Sequence, residues 1–192
     1  MRKYIDNCRL SAEIDRDMEF TDPDIVGELS LAVSMGMAEE TMAPTTAREV
    51  ADYIIWFSHK HGDPISNLKL QKLLYYSHAW YLAIHNKPLF DEEFEAWVHG
   101  PVIRSVYLTF KDWAWKPIEI NPRKPSLPRQ VEKHLEEVME VYGNLSAYQL
   151  EKLAHSEKPW RAARGKIPND VPSRAKISDK EMKAFYRAMA DA

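Results

Sequence analysis

The stretch that most constrains this chain runs from Asp63 to His85. Asp63-Pro64 forces a turn, because proline fixes φ and has no backbone N–H to donate. Ser66 or Asn67 behind it is placed to cap a helix. From Leu68 to about His85 the pattern is helical, with Leu70, Leu73, Leu74, Ser77, Trp80, Tyr81 and Ile84 on one stripe. A stripe this large and aromatic needs covering, so the spacing predicts the central buried helix of a helical body.

Capping signals place the neighbouring helices. Thr46-Ala47-Arg48-Glu49 fits a capping box, in which hydroxyl and carboxylate satisfy free backbone N–H groups reciprocally. Val50, Ile54 and Phe57 follow at helical spacing, and Gly62 is a natural stop. Lys87-Pro88-Leu89-Phe90-Asp91 reads as a turn, and Phe94 to Val98 alternates apolar and polar residues as a short strand would. His99-Gly100-Pro101 breaks that run, and Pro101 is read as opening a helix from Val102 to Phe110. Four prolines between Pro117 and Pro128 exclude a helix there. Val131, Leu135, Val138, Met139 and Tyr142 mark a helix from about Arg129, ended by Gly143. Ser146-Ala147-Tyr148-Gln149 and Ser178-Asp179-Lys180-Glu181 are two further capping boxes, the first opening a helix to about His155 and the second a terminal helix. The fold expected is mostly α: a compact bundle of six to eight helices, with at most a short strand or hairpin near residues 94–99.

Charge and aromatic content divide the chain near Thr45. Residues 1–44 hold ten acidic and four basic residues, a charge of -6, so the remainder carries +3 of the total of -3. Fourteen of the 21 aromatic residues lie between Tyr53 and Trp115, which places the main core there. The expected organisation is an acidic extension, 1–44, and a helical domain, 45–192. Within the extension, Thr21-Asp22-Pro23-Asp24 reads as a helix start, followed by Ile25, Val26, Leu29, Val33 and Met37 on one face.

Several chemistries find no support. Cys8 is the only cysteine, which excludes an internal disulfide and any multi-cysteine zinc site. No apolar run reaches the length of a membrane span and no signal-peptide core is present, so a cytoplasmic protein is expected. The seven histidines include no His-Glu-x-x-His pair, and His59 and His61, two apart, point to different faces. There is no Gly-x-Ser-x-Gly elbow, and the six glycines form no phosphate-cradling loop. The acidic run Asp91-Glu92-Glu93 reads as a solvated turn. No catalytic residue, cofactor or metal is expected, and an enzyme using His99 or His155 as a base is the weakest reading. Residues 116–192 carry fifteen basic against eleven acidic residues, which keeps operator DNA open as a partner.

Two segments combine a large aromatic, a histidine and a proline break: Glu95 to Val102, and Leu153 to Trp160. Their tryptophans either plug the core or wall a groove, since tryptophan and tyrosine are favoured interface anchors. Together with Asn67-Leu68-Lys69-Leu70-Gln71-Lys72-Leu73-Leu74-Tyr75-Tyr76, these segments resemble the Panacea domain family, which includes SocA-like antitoxins and the phage-associated protein GepA. The resembling motifs are Lys69 to Tyr75, Lys87 to Phe90, Glu95 to Trp97, Gly100 to Val102, Val106-Tyr107, Leu145 to Leu150, and His155 with Pro159-Trp160. They run in order over roughly residues 48–170. This chain has Ala154-His155 where the family often has Thr-His, and residues 1–44 have no counterpart.

The resemblance implies an antitoxin that neutralises a cognate toxin by direct binding, with delivery of the toxin to an AAA+ protease as a further step. A DNA-binding autoregulator of its own operon is the alternative, and a homo-oligomer is compatible with either. With the two tryptophan segments read as walls of a groove, the partner-binding residues expected are Trp97, His99, Pro101, Tyr107, His155, Pro159 and Trp160.

Overall fold

A computed structural model describes residues 45–190. The helix expected after Thr21 lies outside the described residues. The central element is the long helix α2, Asn67–His85, with α1, Ala47–Lys60, before it. A hairpin follows, β1 at Phe94–Trp97 and β2 at Gly100–Val102, and then the short helix α3, Arg104–Thr109. A 3-10 turn, Lys111–Trp113, leads into the proline-rich connection. The remaining elements are α4 at Arg129–Tyr142, α5 at Ala147–Ser156, α6 at Lys158–Arg164, β3 at Lys176–Ile177 and α7 at Asp179–Ala190. The fold is mostly α, as the sequence predicts.

The helix starts follow from their caps. Thr46 accepts from the Glu49 N–H at 3.2 Å while the Glu49 carboxylate accepts from the Thr46 N–H at 2.8 Å, closing the capping box of α1. Ser146 and Gln149 do the same for α5. Ser66, not Asn67, caps α2. Asn86 ends it in a left-handed conformation, φ 59°.

α2 is covered on every side rather than along a stripe. From Leu70 to Ala83 every residue is buried, with α1, α4, α5, α7 and β2 packed around it. A helix surrounded like this carries apolar residues all round. Ile84, placed on the buried stripe by spacing, is 46 % exposed because the cover ends at Ala83. Around α2, Tyr76 stacks on Tyr142 at 4.2 Å, and the Trp80 indole donates to the Tyr142 hydroxyl at 2.8 Å. Tyr186 of α7 completes this aromatic core, edge-on to Trp80 at 5.2 Å.

Four local readings are corrected. Gly100-Pro101-Val102 is a strand, not a helix start, pairing Trp97 with Gly100 and Glu95 with Val102 across a two-residue turn, Val98-His99. Its helix begins only at Arg104. β3 adds a third strand, in the order β2-β1-β3, with Phe94 opposite Ile177. The proline break expected within Leu153 to Trp160 does not stop helix formation: Lys158–Arg164 is helix α6, with Pro159 at its second position, where no N–H is needed. The acidic run is not merely solvated: both Glu92 oxygens accept from the Ala47 N–H at 3.1 Å, placing negative charge at the start of α1.

Candidate functional site

The polar residues of α2 build the site from beneath. Lys72 is fully buried and donates from Nζ to the Pro101 carbonyl at 2.9 Å. Gln71 accepts from the Ile103 N–H at 2.9 Å and donates to Asn67 at 3.2 Å, and Asn67 donates to the Tyr107 carbonyl at 3.1 Å. One helix face thus supplies partners to the Pro101 carbonyl and the Ile103 N–H, and a second donor to the Tyr107 carbonyl, which also accepts from the Phe110 N–H. Burial lowers the Lys72 ammonium to about 7, with Glu151 pulling the other way. Gly100 sits directly over this side chain at φ +97°, and a Cβ there would lie 2.8 Å from Lys72 Cε.

The other side of the hairpin is held from α6. Arg164 donates to the Ala96 carbonyl at 2.8 Å, to the Val171 carbonyl at 2.6 Å and to the Pro168 carbonyl. Its planar fork ties β1 to the loop that runs toward Pro172–Arg174. Trp160 donates its indole N–H to the Trp97 carbonyl at 3.1 Å. His155 stacks on the Trp160 ring at 4.0 Å, and burial lowers its basicity while Glu151 opposes the shift.

Above this scaffold an open cleft of about 720 Å³ lies between the start of α2, the hairpin turn, α3, the 3-10 turn and the loop at Pro172–Arg174. Trp97 is half-buried in its wall, its indole N–H bonded to Glu95 at 2.6 Å and its ring edge-on to Tyr107 at 4.9 Å. His99 stands at the hairpin tip, paired with Glu151 at 3.0 Å and edge-on to Trp115 at 5.8 Å. Trp115 is 69 % exposed. Ahead of it, Ala114 takes φ 47° and ψ -114°, a conformation that favours glycine. Lys111 and Arg174 line the cleft, and no acidic residue does.

The seven residues expected to bind a partner therefore divide. Trp97, His99 and Tyr107 line the cleft. Pro101, Pro159 and Trp160 are buried beneath it, Trp160 at 1 % exposure, and His155 is half-buried against Trp160. Trp115, Lys111 and Arg174 belong to the cleft and were not singled out as binding residues from sequence. Trp115 had one usable signal, a tryptophan two residues before the proline-rich connection.

Residues 70–161 match the family described as antitoxin SocA-like, Panacea domain. Antitoxin SocA of Caulobacter vibrioides (strain NA1000 / CB15N) is 33% identical over 154 residues, covering 73% of this chain and 82% of that protein. The chain belongs to the SocA-like antitoxin family. No solved structure matches it. The SocA-like match contains α2 from Leu70 onward, the hairpin and Trp160, so it covers most of the central helix and of the cleft walls, whereas Asn67, Leu68, Arg164 and the Pro172–Arg174 loop lie outside it. Among the described residues no helix is long and apolar enough to cross a membrane, and no group of three His, Cys, Asp or Glu side chains could hold a metal ion.

Proposed function

We infer that this SocA-like protein is an antitoxin that neutralises its toxin by direct binding, and that the toxin seats in the cleft walled by Trp97, Tyr107 and Trp115. The observation that carries the reading is the exposure of Trp115 beside two half-buried aromatics. Large aromatics gathered around a concavity are the residue types that anchor interfaces. The acid–base pair nearest the cleft, His99 with Glu151, has no nucleophile bonded to it among the described residues and serves to fix the hairpin tip. That geometry suits recognition rather than catalysis.

Co-expression with the product of the adjacent gene tests the reading, scoring host growth and co-purification. Growth rescue with a stable complex is the expected result, and Trp115→Ala should abolish rescue while the protein remains folded. Rescue in which the neighbour disappears instead would assign neutralisation to protease delivery. A harmless, non-binding neighbour would remove the antitoxin reading for that pair.

A further inference from the structure

The cleft has walls and cations but no acid of its own. Lys111 and Arg174 face into it, and the two carboxylates bonded to its lining are already engaged, Glu95 by the Trp97 indole and Glu151 by His99. What would complement it is an acidic segment with apolar side chains at intervals. This chain contains one. Residues 1–44 carry a charge of -6 against +3 for the rest, and Ile25, Val26, Leu29, Val33 and Met37 recur among the acids at helical spacing.

Position and reach agree with charge. Residues 1–44 join the body at Thr45, immediately before α1. There Arg48 lies over the Phe110 ring at 5.2 Å, and Phe110 directly precedes Lys111 of the cleft. The root of the segment and the cationic rim are thus neighbours. With Ile25 to Met37 as the docking face, the seven residues from Ala38 to Pro44 remain as tether and span about 23 Å when extended, a length suited to a rim adjacent to its root.

We propose that the acidic N-terminal segment occupies the aromatic cleft of its own chain, so that the toxin binds by displacing it. This rests on the reading of the cleft as the toxin site. A tethered occupant competes at an effective concentration near the millimolar range. Only a partner that binds the cleft more strongly than the segment gains access, and weak binders are rejected. The cost is a lower apparent affinity for the toxin, in proportion to the fraction of chains whose cleft is open.

Photo-crosslinking of the full chain tests this. The probe is p-benzoylphenylalanine in place of Trp115, and separately in place of Pro172 on the opposite side of the cleft. Both probes are expected to label peptides within residues 17–44 of the same chain. The yield should fall at least about threefold when Lys111→Glu and Arg174→Glu remove the cations, a loss in line with one or two exposed ion pairs. Labelling confined to residues 45–190, or to a second copy in an isotope-mixed sample, would overturn the proposal. Added toxin separates it from the reading on which it rests. Labelling that moves from the segment to the toxin supports both. Labelling of toxin with none of the segment beforehand overturns the proposal and leaves the toxin site standing. Labelling of the segment that persists while toxin binds elsewhere overturns displacement and the toxin site together.

Discussion

The Trp160 indole N–H is bonded to the backbone carbonyl of Trp97 across 3.1 Å. The two tryptophans therefore act in series: Trp160 is core and fixes the strand, and Trp97 presents its half-buried ring to the cleft.

Their substitutions should separate accordingly. Trp160→Ala removes a fully buried ring and its donor, and should cost about 3–5 kcal/mol in denaturant unfolding. Trp160→Phe keeps most of the volume but leaves the Trp97 carbonyl without that donor, for about 1–2 kcal/mol. Trp97→Ala should unfold at a denaturant midpoint much nearer the parent, while toxin affinity measured by calorimetry falls at least about tenfold. Equal destabilisation by Trp97→Ala and Trp160→Ala would contradict the division.

Gly100 and Lys72 form one packed unit. Gly100→Ala introduces a Cβ 2.9 Å from Lys72 Nζ at φ +97°, so both contact and backbone are strained. A loss of about 2–4 kcal/mol is expected. Lys72→Met relieves the contact and removes a charge whose burial lowers it to about 7, but leaves the Pro101 carbonyl without its donor. Between about pH 7 and pH 10 the unfolded parent holds this proton and the native parent does not, so parental stability should rise with pH. In Lys72→Met that rise should disappear. A parallel pair of stability–pH curves would show that Lys72 is charged throughout.

Glu157 gives the opposite slope. It is buried at the junction of α5 and α6, accepts from the Tyr186 hydroxyl at 2.6 Å, and burial raises its carboxyl from 4.5 to about 8. Between those values the native state holds a proton that the unfolded chain has released. Stability from this group is therefore full below about pH 4.5 and is lost as pH rises through about 8. Glu157→Gln keeps an acceptor for Tyr186 and cannot ionise. Its stability relative to the parent should increase from pH 5 to pH 9, and a constant difference over that range would refute the raised carboxyl.

The features legible in the sequence are those set by neighbours along the chain. The capping boxes at Thr46 and Ser146 were readable because each is closed within four residues. Likewise α4 ends where its apolar spacing and Gly143 place it. The misread features are held from a distance. Gly100-Pro101-Val102 carries a local helix-start pattern, yet Lys72 and the pairing with β1 hold it as a strand. Pro159 suggests a break, yet the second position of a helix accepts it. Trp97 and Trp160 both follow a Glu in similar surroundings, and only the packing of α6 beneath the hairpin separates wall from core. The cleft was half legible: Trp97, His99 and Tyr107 lay in motifs, whereas Trp115 and Arg174 reach it from loops with no pattern.

Ala114 offers the last test, because it stores backbone strain beside the most exposed aromatic among the described residues. At φ 47° and ψ -114° an L side chain is disfavoured, and the chain turns there to present Trp115. Strain of about 1–3 kcal/mol persists only where surrounding structure enforces it. Here the 3-10 turn before it and the bond from the Ile118 N–H to the Ile65 carbonyl at 2.9 Å anchor both sides. Ala114→Gly removes the steric penalty but makes the unfolded chain more flexible, so the net gain should be under about 1 kcal/mol. The freed backbone should also let Trp115 sample more orientations, lowering its fluorescence anisotropy and weakening toxin binding several-fold. Greater stability with unchanged anisotropy and unchanged binding would show that the turn serves the fold alone.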